Sequence, residues 1–183
     1  MLERILAEKK SSILRRWFEL ILDTYPADTQ RFLKTQKDQF ANPVGGTISR
    51  GIEALYEEIL RRGELERVAP FLDAIIRVRA VQDFSPSQAV RFVFLLKRVV
   101  REAMEEERQE PRMAEELAAL ESRIDDMALL SFDLFMGCRE KLYELRANEV
   151  RNRTVRLLKK ADLIVEIPDD EADVQAGPND NLT

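Results

Sequence analysis

Histidine is absent from the 183 residues, and cysteine occurs only once, at Cys138. Histidine is the commonest metal ligand and the commonest general base at neutral pH, and a Cys/His zinc site needs several such residues. A single cysteine cannot form a disulfide within one chain, and catalytic triads that rely on imidazole are excluded. We therefore expect a protein that is not an enzyme and that holds no metal and no cofactor.

Long apolar runs are also missing. No stretch approaches the ~18 consecutive apolar residues that a membrane span needs. The first residues, Met1–Arg4, open directly into an amphipathic pattern and are not followed by the apolar core of a secretory signal. The sequence predicts a cytoplasmic protein without a transmembrane segment.

Glycine and proline are scarce, at 6 and 7 residues, whereas leucine, arginine, glutamate and alanine are abundant. That composition is typical of an all-helical protein. Residues 162–183 contain seven acidic and no basic residues, so the rest of the chain has 29 basic against 27 acidic residues. We predict a helical domain over residues 1–160 and an acidic, disordered tail over 161–183. A nearly neutral body argues against nucleic-acid binding.

The clearest local signal lies at residues 42–60. Asn42 can accept from the free N–H groups of a helix start, and Pro43 suits the first helical position. Apolar residues then recur at helical spacing. Gly45 and Gly51 favour close helix packing over phosphate binding, because neither dinucleotide nor Walker spacing is present. A second start follows at Ser85 and Pro86, which together with the four residues above make up the structural signature.

The same periodicity organises the rest of the chain into a bundle. A helix ends at Gly63, a turn precedes Pro70, and one pattern continues with few breakers from Met113 to about Lys160. Unbroken, this last helix would be roughly 70 Å long. The predicted helices are 2–22, a short one near Phe32, one from Pro43, one over 71–78, one from Pro86, and the long last one.

Three motifs resemble the N-terminal domain family of the RsbT co-antagonists, the RsbRD-type sensor domains. They are Phe-x-Asn-Pro-Val-Gly at residues 40–45, the Gly51-Ile52 helix, and Ser-Pro-Ser-Gln-Ala-Val at residues 85–90. The resemblance covers about residues 5–150. It implies an all-α bundle of globin-like or related form that dimerises and senses a signal. A globin form without haem agrees with the missing histidine.

The resemblance also implies how such a domain works in family members of full architecture. There it passes signals along a helix into a STAS domain, which engages a switch kinase. Here an acidic tail follows the long helix, which indicates a stand-alone form. Stand-alone members of the family resemble proteins that associate with a membrane respiratory complex linked to sulfite reduction. The resemblance thus implies a regulatory or adaptor protein that acts through protein–protein interaction in signal transduction.

The basic stretch from Arg139 to Lys160 has eight bases and three acids. It suits an acidic partner, an anionic membrane surface or the tail, although a solvated helix end is the commoner reading. We expect a homodimer that uses the apolar stripe of the first helix and the last helix, with an interface at Leu142, Leu145, Arg146 and Arg153.

Two alternatives remain open. Aromatic side chains could line an apolar pocket for a small molecule, with Phe40, Phe71, Phe92 and Phe94 as its walls, although aromatics at helical spacing are more often plain core. Residues 163–167 could instead add as a strand to a partner's sheet. Cys138 is read as a small buried apolar residue rather than a redox sensor.

Overall fold

The computed structural model describes residues 1–35, 42–61, 64–82, 84–105, 107 and 110–163. Within these residues the protein is all-helical, as predicted, and it has seven α-helices where the sequence predicted six. The helices are α1 (Leu2–Glu8), α2 (Lys10–Leu22), α3 (Ala27–Thr35), α4 (Pro43–Leu60), α5 (Leu65–Ala80), α6 (Pro86–Ala103) and α7 (Pro111–Lys160). The chain divides into two units, residues 1–142 and residues 143–183.

The core of the first unit is built around large side chains that also make hydrogen bonds. The indole nitrogen of Trp17 donates to the carbonyl of Phe92 at 2.7 Å, and the hydroxyl of Tyr56 donates to the carbonyl of Leu6 at 2.9 Å. All four residues are buried. Because a buried N–H or O–H without an acceptor destabilises the fold, these two bonds fix α2 against α6 and α4 against α1.

The stretch predicted as one helix over residues 2–22 is interrupted at Lys9. The backbone there leaves helical geometry, with φ −89° and ψ 5°, and the ammonium group binds the carbonyl of Ala103 at 2.6 Å and the carboxylate of Glu107 at 2.8 Å. The apolar stripe of α1 and α2 lies in the core of its own chain. The expectation that this stripe forms a dimer interface is therefore wrong.

The start of α4 has the predicted cap. Asn42 Oδ1 accepts from the Gly45 N–H at 2.8 Å, Asn42 Nδ2 donates to the Leu33 carbonyl at 3.1 Å, and Pro43 occupies the first turn. A Cβ at Gly45 would lie 2.4 Å from the Asn42 side chain. Glycine is therefore needed here so that the cap can close over the helix.

Replacing Asn42 with alanine removes both of these hydrogen bonds, and Asn42 is buried. We expect the free energy of unfolding to fall by about 1–2 kcal/mol, the upper range for a lost cap. Ser85 caps α6 from an exposed position, so Ser85→Ala is the matched control, with a loss of about 0.5–1 kcal/mol. Urea unfolding measures both. An Asn42→Ala loss smaller than that of Ser85→Ala would contradict the account.

The next helix begins earlier than predicted. α5 starts at Leu65 and contains Pro70, which lacks the N–H for the carbonyl four residues back. Packing overrides this loss, since Leu72, Ile75 and Ile76 are fully buried. Gly51 lies where α4 crosses α5, because a Cβ there would be 2.7 Å from Ile75 Cδ1. The predicted helix end at Gly63 lies outside the described residues.

The last two helices follow the sequence closely. Ser85, Pro86 and Gln88 form a complete capping box at the start of α6, and α7 is one helix to Lys160. The described part of the second unit, residues 143–163, is the end of this helix and three further residues. Of the predicted strand run, 163–167, only Leu163 is described, and of the predicted tail, 161–183, only residues 161–163 are described.

Candidate functional site

The predicted interface residues occupy different settings. Leu142 is half-buried in the first unit, where it is the last residue. Leu145 is 56% exposed, and Arg146 and Arg153 are exposed in the second unit. All of the second unit's helical side chains except Leu158 are exposed. This segment of α7 therefore has a surface without cover within the described chain.

Three large apolar side chains recur at seven-residue intervals along that segment. Tyr143, Val150 and Leu157 are 55%, 64% and 61% exposed. The small residues Ala147 and Thr154 lie four positions after the first two. Spacing that alternates between four and three residues is the repeat of a coiled-coil seam, which has apolar residues at both positions; here the residues at one of the two positions are small. We call these five residues the helical seam.

One edge of the helical seam is uniformly basic. Arg146, Arg153 and Lys160 each follow a large seam residue by three positions and are exposed. At about 100° per residue, Leu145 lies about 160° around the helix from Tyr143. The seam and the predicted Leu142 and Leu145 face are therefore different faces of α7, which share only the basic edge.

The structure separates two of the three predicted pocket rings that it describes. Phe92 is fully buried, whereas Phe94, two residues further along α6, is 45% exposed. Positions two apart in a helix point to nearly opposite sides, so these rings do not line one cavity. Phe71 is half-buried beside the core. Phe40 lies outside the described residues.

Sequence reasoning missed a buried charge, Arg79. The side chain is 0% exposed and lies near the end of α5. Its Nη1 donates to the carbonyls of Gln88 at 3.0 Å and Ala89 at 3.4 Å, and its Nη2 donates to Thr24 Oγ1 at 2.8 Å. The sequence contained a signal of this burial. Arg79 follows Leu72 by seven positions and Ile76 by three, so it lies on the same face of the helix as these two residues.

Three aromatic rings surround the Arg79 guanidinium. Its carbon lies 4.7 Å from the ring centre of Phe84, 5.2 Å from that of Tyr25 and 5.4 Å from that of Phe92. Tyr25 and Phe84 meet edge to face at 5.2 Å. Ring faces attract a desolvated cation, so they replace part of the solvation that the guanidinium loses. The three rings thus form an aromatic cage around the charge.

No carboxylate pairs with Arg79 among the described residues. Burial lowers the pKa of Arg79, and burial raises the pKa of Tyr25 while the arginine charge opposes that change. Arginine stays protonated in proteins in spite of such a shift. The site is therefore a positive charge inside the core whose hydrogen-bond partners are all neutral.

Other candidate sites have less support. Cys138 is free and partly buried against the core, and burial raises the pKa of its thiol. A raised pKa means little reactive thiolate at neutral pH.

The described residues contain no group of three or more metal-binding side chains. No helix in the described ranges is long and apolar enough to cross a membrane.

Comparison with known families gives one match. Residues 11–150 match the family model described as the RsbT co-antagonist protein rsbRD N-terminal domain. No curated protein sequence and no solved structure matches the chain.

Proposed function

Because the chain belongs to the RsbRD N-terminal domain family, whose RsbR members are globin-like sensor and regulatory domains, we propose that it is a non-catalytic signalling adaptor. In this proposal the chain acts through contacts with other proteins. The function is regulatory, and the second unit, residues 143–160 of α7, is its output surface.

The observation that carries the proposal is the helical seam. Tyr143, Val150 and Leu157 are more than half exposed on residues 143–160 of α7, where the helical side chains other than Leu158 are exposed. Apolar side chains in a continuous exposed row mark protein interfaces. A 3–4 repeat suits another helix, because it keeps the apolar row facing its partner over several turns.

Two copies of this chain can pair through the helical seam, which makes the proposed assembly a homodimer. When the two helices run antiparallel, the basic edge of one copy lies opposite the basic edge of the other, because the same flanking position of each helix then meets across the seam. Like charges repel, and salt screens that repulsion. We expect self-association to strengthen as the salt concentration rises. A heterologous partner with acidic flanks would show the opposite dependence.

Two variants separate the two faces of α7. Val150→Glu/Leu157→Glu places charges in the seam, and Leu142→Glu/Leu145→Glu changes the other face. Burying a carboxylate in an apolar seam is strongly unfavourable, so the first variant is expected to raise the dimer dissociation constant by at least ~100-fold, from about 3 kcal/mol of lost association energy. Sedimentation velocity on the full chain measures it.

Each outcome identifies a face. Loss of the dimer only in the Leu142/Leu145 variant would move the interface to that face and remove the seam from the proposal. A wild-type chain that stays monomeric at all salt concentrations would rule out self-association. Circular dichroism is the check that the variants keep their helix content, and we expect no loss because Leu145, Val150 and Leu157 are exposed.

The partner of the adaptor is proposed to be a subunit of a membrane respiratory complex or a switch kinase. Affinity purification from the native host under anaerobic conditions compares the wild type with the Val150→Glu/Leu157→Glu variant. A subunit recovered only with the wild type would support the seam as the output surface. Equal recovery with both chains would contradict it.

A further inference from the structure

A cleft lies over Arg79 in the first unit, where the end of α2 and the start of α3 meet the end of α5 and the start of α6. Its volume is about 450 Å³, and its walls are Thr24, Tyr25, Pro26, Thr29, Gln82, Phe84 and Gln88. Four of these residues contact Arg79 through a hydroxyl, a carbonyl or a ring face. The guanidinium is therefore directly beneath the cleft.

Three buried polar atoms at this place make no hydrogen bond of ordinary length within the described structure. They are Nε of Arg79, the hydroxyl oxygen of Tyr25 and Oε1 of Gln82. Native proteins satisfy the large majority of such atoms, since each unmet one is costly. Their grouping around one cleft is unlike the scatter expected from random packing defects.

The unmet atoms have a definite chemistry. Nε–H of Arg79 is a donor and needs an acceptor. The Tyr25 hydroxyl oxygen interacts with the Arg79 guanidinium as an acceptor, so its own O–H remains to donate and needs an acceptor as well. Gln82 Oε1 is an acceptor, and it needs a donor. The acceptor that best suits a buried cation without an acidic partner among the described residues is an anionic oxygen, because it compensates a charge that the fold has already removed from water and its charge-assisted hydrogen bonds are the stronger ones.

A hydroxyl of the ligand suits Gln82 Oε1 better as a donor than an ammonium group does. An ammonium would bring a second positive charge close to the uncompensated guanidinium, and like charges at short distance repel strongly in a desolvated site. The rings of Tyr25 and Phe84 supply apolar walls for a short carbon chain.

We propose that this cleft binds a small hydroxycarboxylate, whose carboxylate accepts from Arg79 Nε and the Tyr25 hydroxyl and whose hydroxyl donates to Gln82 Oε1. The half-buried ring of Phe84 covers the guanidinium and moves aside as the carboxylate enters. This site lies in the first unit, so its existence does not depend on the helical seam or on any protein partner.

The test is calorimetric titration of the full chain with glycolate, lactate and malate at constant ionic strength. Propionate, which is lactate without its hydroxyl, and methyl lactate, which lacks the charge, are the matched ligands. Chloride and phosphate at equal concentration report plain anion binding. We expect at least one hydroxycarboxylate to bind at least tenfold more tightly than propionate, methyl lactate and the inorganic ions.

Variants assign the binding to the cleft. Tyr25→Phe keeps the ring and removes one donor, and we expect about a tenfold weaker affinity. Gln82→Leu removes the acceptor, so the preference for lactate over propionate should disappear. Tyr56→Phe is the matched control, because it too removes a buried tyrosine hydroxyl from the first unit, one that donates to the Leu6 carbonyl. Its affinity for the hydroxycarboxylate should equal that of the wild type.

Three results would overturn the proposal. One is no heat and no change in melting temperature with any of the three hydroxycarboxylates. Another is equal binding of chloride, phosphate, propionate and lactate. The third is unchanged affinity in Tyr25→Phe beside a folded Tyr56→Phe control. None of these results depends on the state of self-association, so a failure here leaves the proposed adaptor function to its own test.

Discussion

Trp17→Ala is expected to lower the free energy of unfolding by about 3–5 kcal/mol, the cost of removing a large aromatic side chain from a packed core. Trp17 is fully buried, and its indole N–H donates to the Phe92 carbonyl at 2.7 Å. Since the free energy of unfolding of a natural domain is only about 5–15 kcal/mol, this single change should leave the protein close to unfolding. Urea unfolding followed by circular dichroism measures it.

Two controls separate the contributions. Trp17→Phe keeps an aromatic ring but loses the hydrogen bond and part of the volume, and should lose about half as much stability as Trp17→Ala. Val81→Ala removes a side chain that is 70% exposed, and should change stability by less than about 0.5 kcal/mol. A Trp17→Ala protein within 1 kcal/mol of the wild type, on the same scale, would show that α2 and α6 do not pack as described.

The second large effect is expected at Gly51. A Cβ there would lie 2.7 Å from Cδ1 and 2.8 Å from Cγ1 of Ile75, whose side chain is fully buried. Gly51→Val should therefore cost about 2–3 kcal/mol through overpacking between α4 and α5. In the Ile75→Ala background the same change should cost less, because the missing isoleucine side chain leaves room for the valine. Chemical unfolding of the four proteins in this cycle gives the coupling energy, expected at about 1–2 kcal/mol.

A substitution at Gly137 is expected to have the opposite effect on stability. A Cβ at this position in α7 meets no atom within 4 Å among the described residues. Gly137→Ala should therefore stabilise the protein by up to about 1 kcal/mol, the difference in helix propensity between the two residues. If Gly51→Val left stability unchanged or raised it, as Gly137→Ala is expected to do, the close crossing of α4 and α5 would be wrong.

Local signals in the sequence predicted much of the fold. The caps at Asn42 and Ser85 and the long pattern that ends at Lys160 depend on neighbouring residues alone, and the structure has them in the predicted form. Boundaries that depend on distant contacts were missed. The break at Lys9 accompanies bonds to residues almost a hundred positions away, and α5 continues through Pro70 because its apolar face is buried.

The candidate sites were less predictable, because they depend on what covers each face. The stripe of the first helix looked available to a partner, yet the chain's own α4 and α6 bury it. The seven-residue row of Tyr143, Val150 and Leu157 was readable, but only exposure distinguishes a seam from a buried face. No role was predicted for Arg79, although its place among Leu72, Ile75 and Ile76 on the apolar stripe was a readable signal of burial.

The central claim is that residues 143–160 form a protein contact surface. Hydrogen exchange of the full chain, read by mass spectrometry in dilute and in concentrated solution at high salt, tests it most directly. Association through the helical seam should slow exchange in peptides from residues 143–160, because pairing suppresses the local opening of an exposed helix. The Val150→Glu/Leu157→Glu variant should show no such change. Exchange in these peptides that stays equal at both concentrations, or slows equally in the variant, would contradict the account.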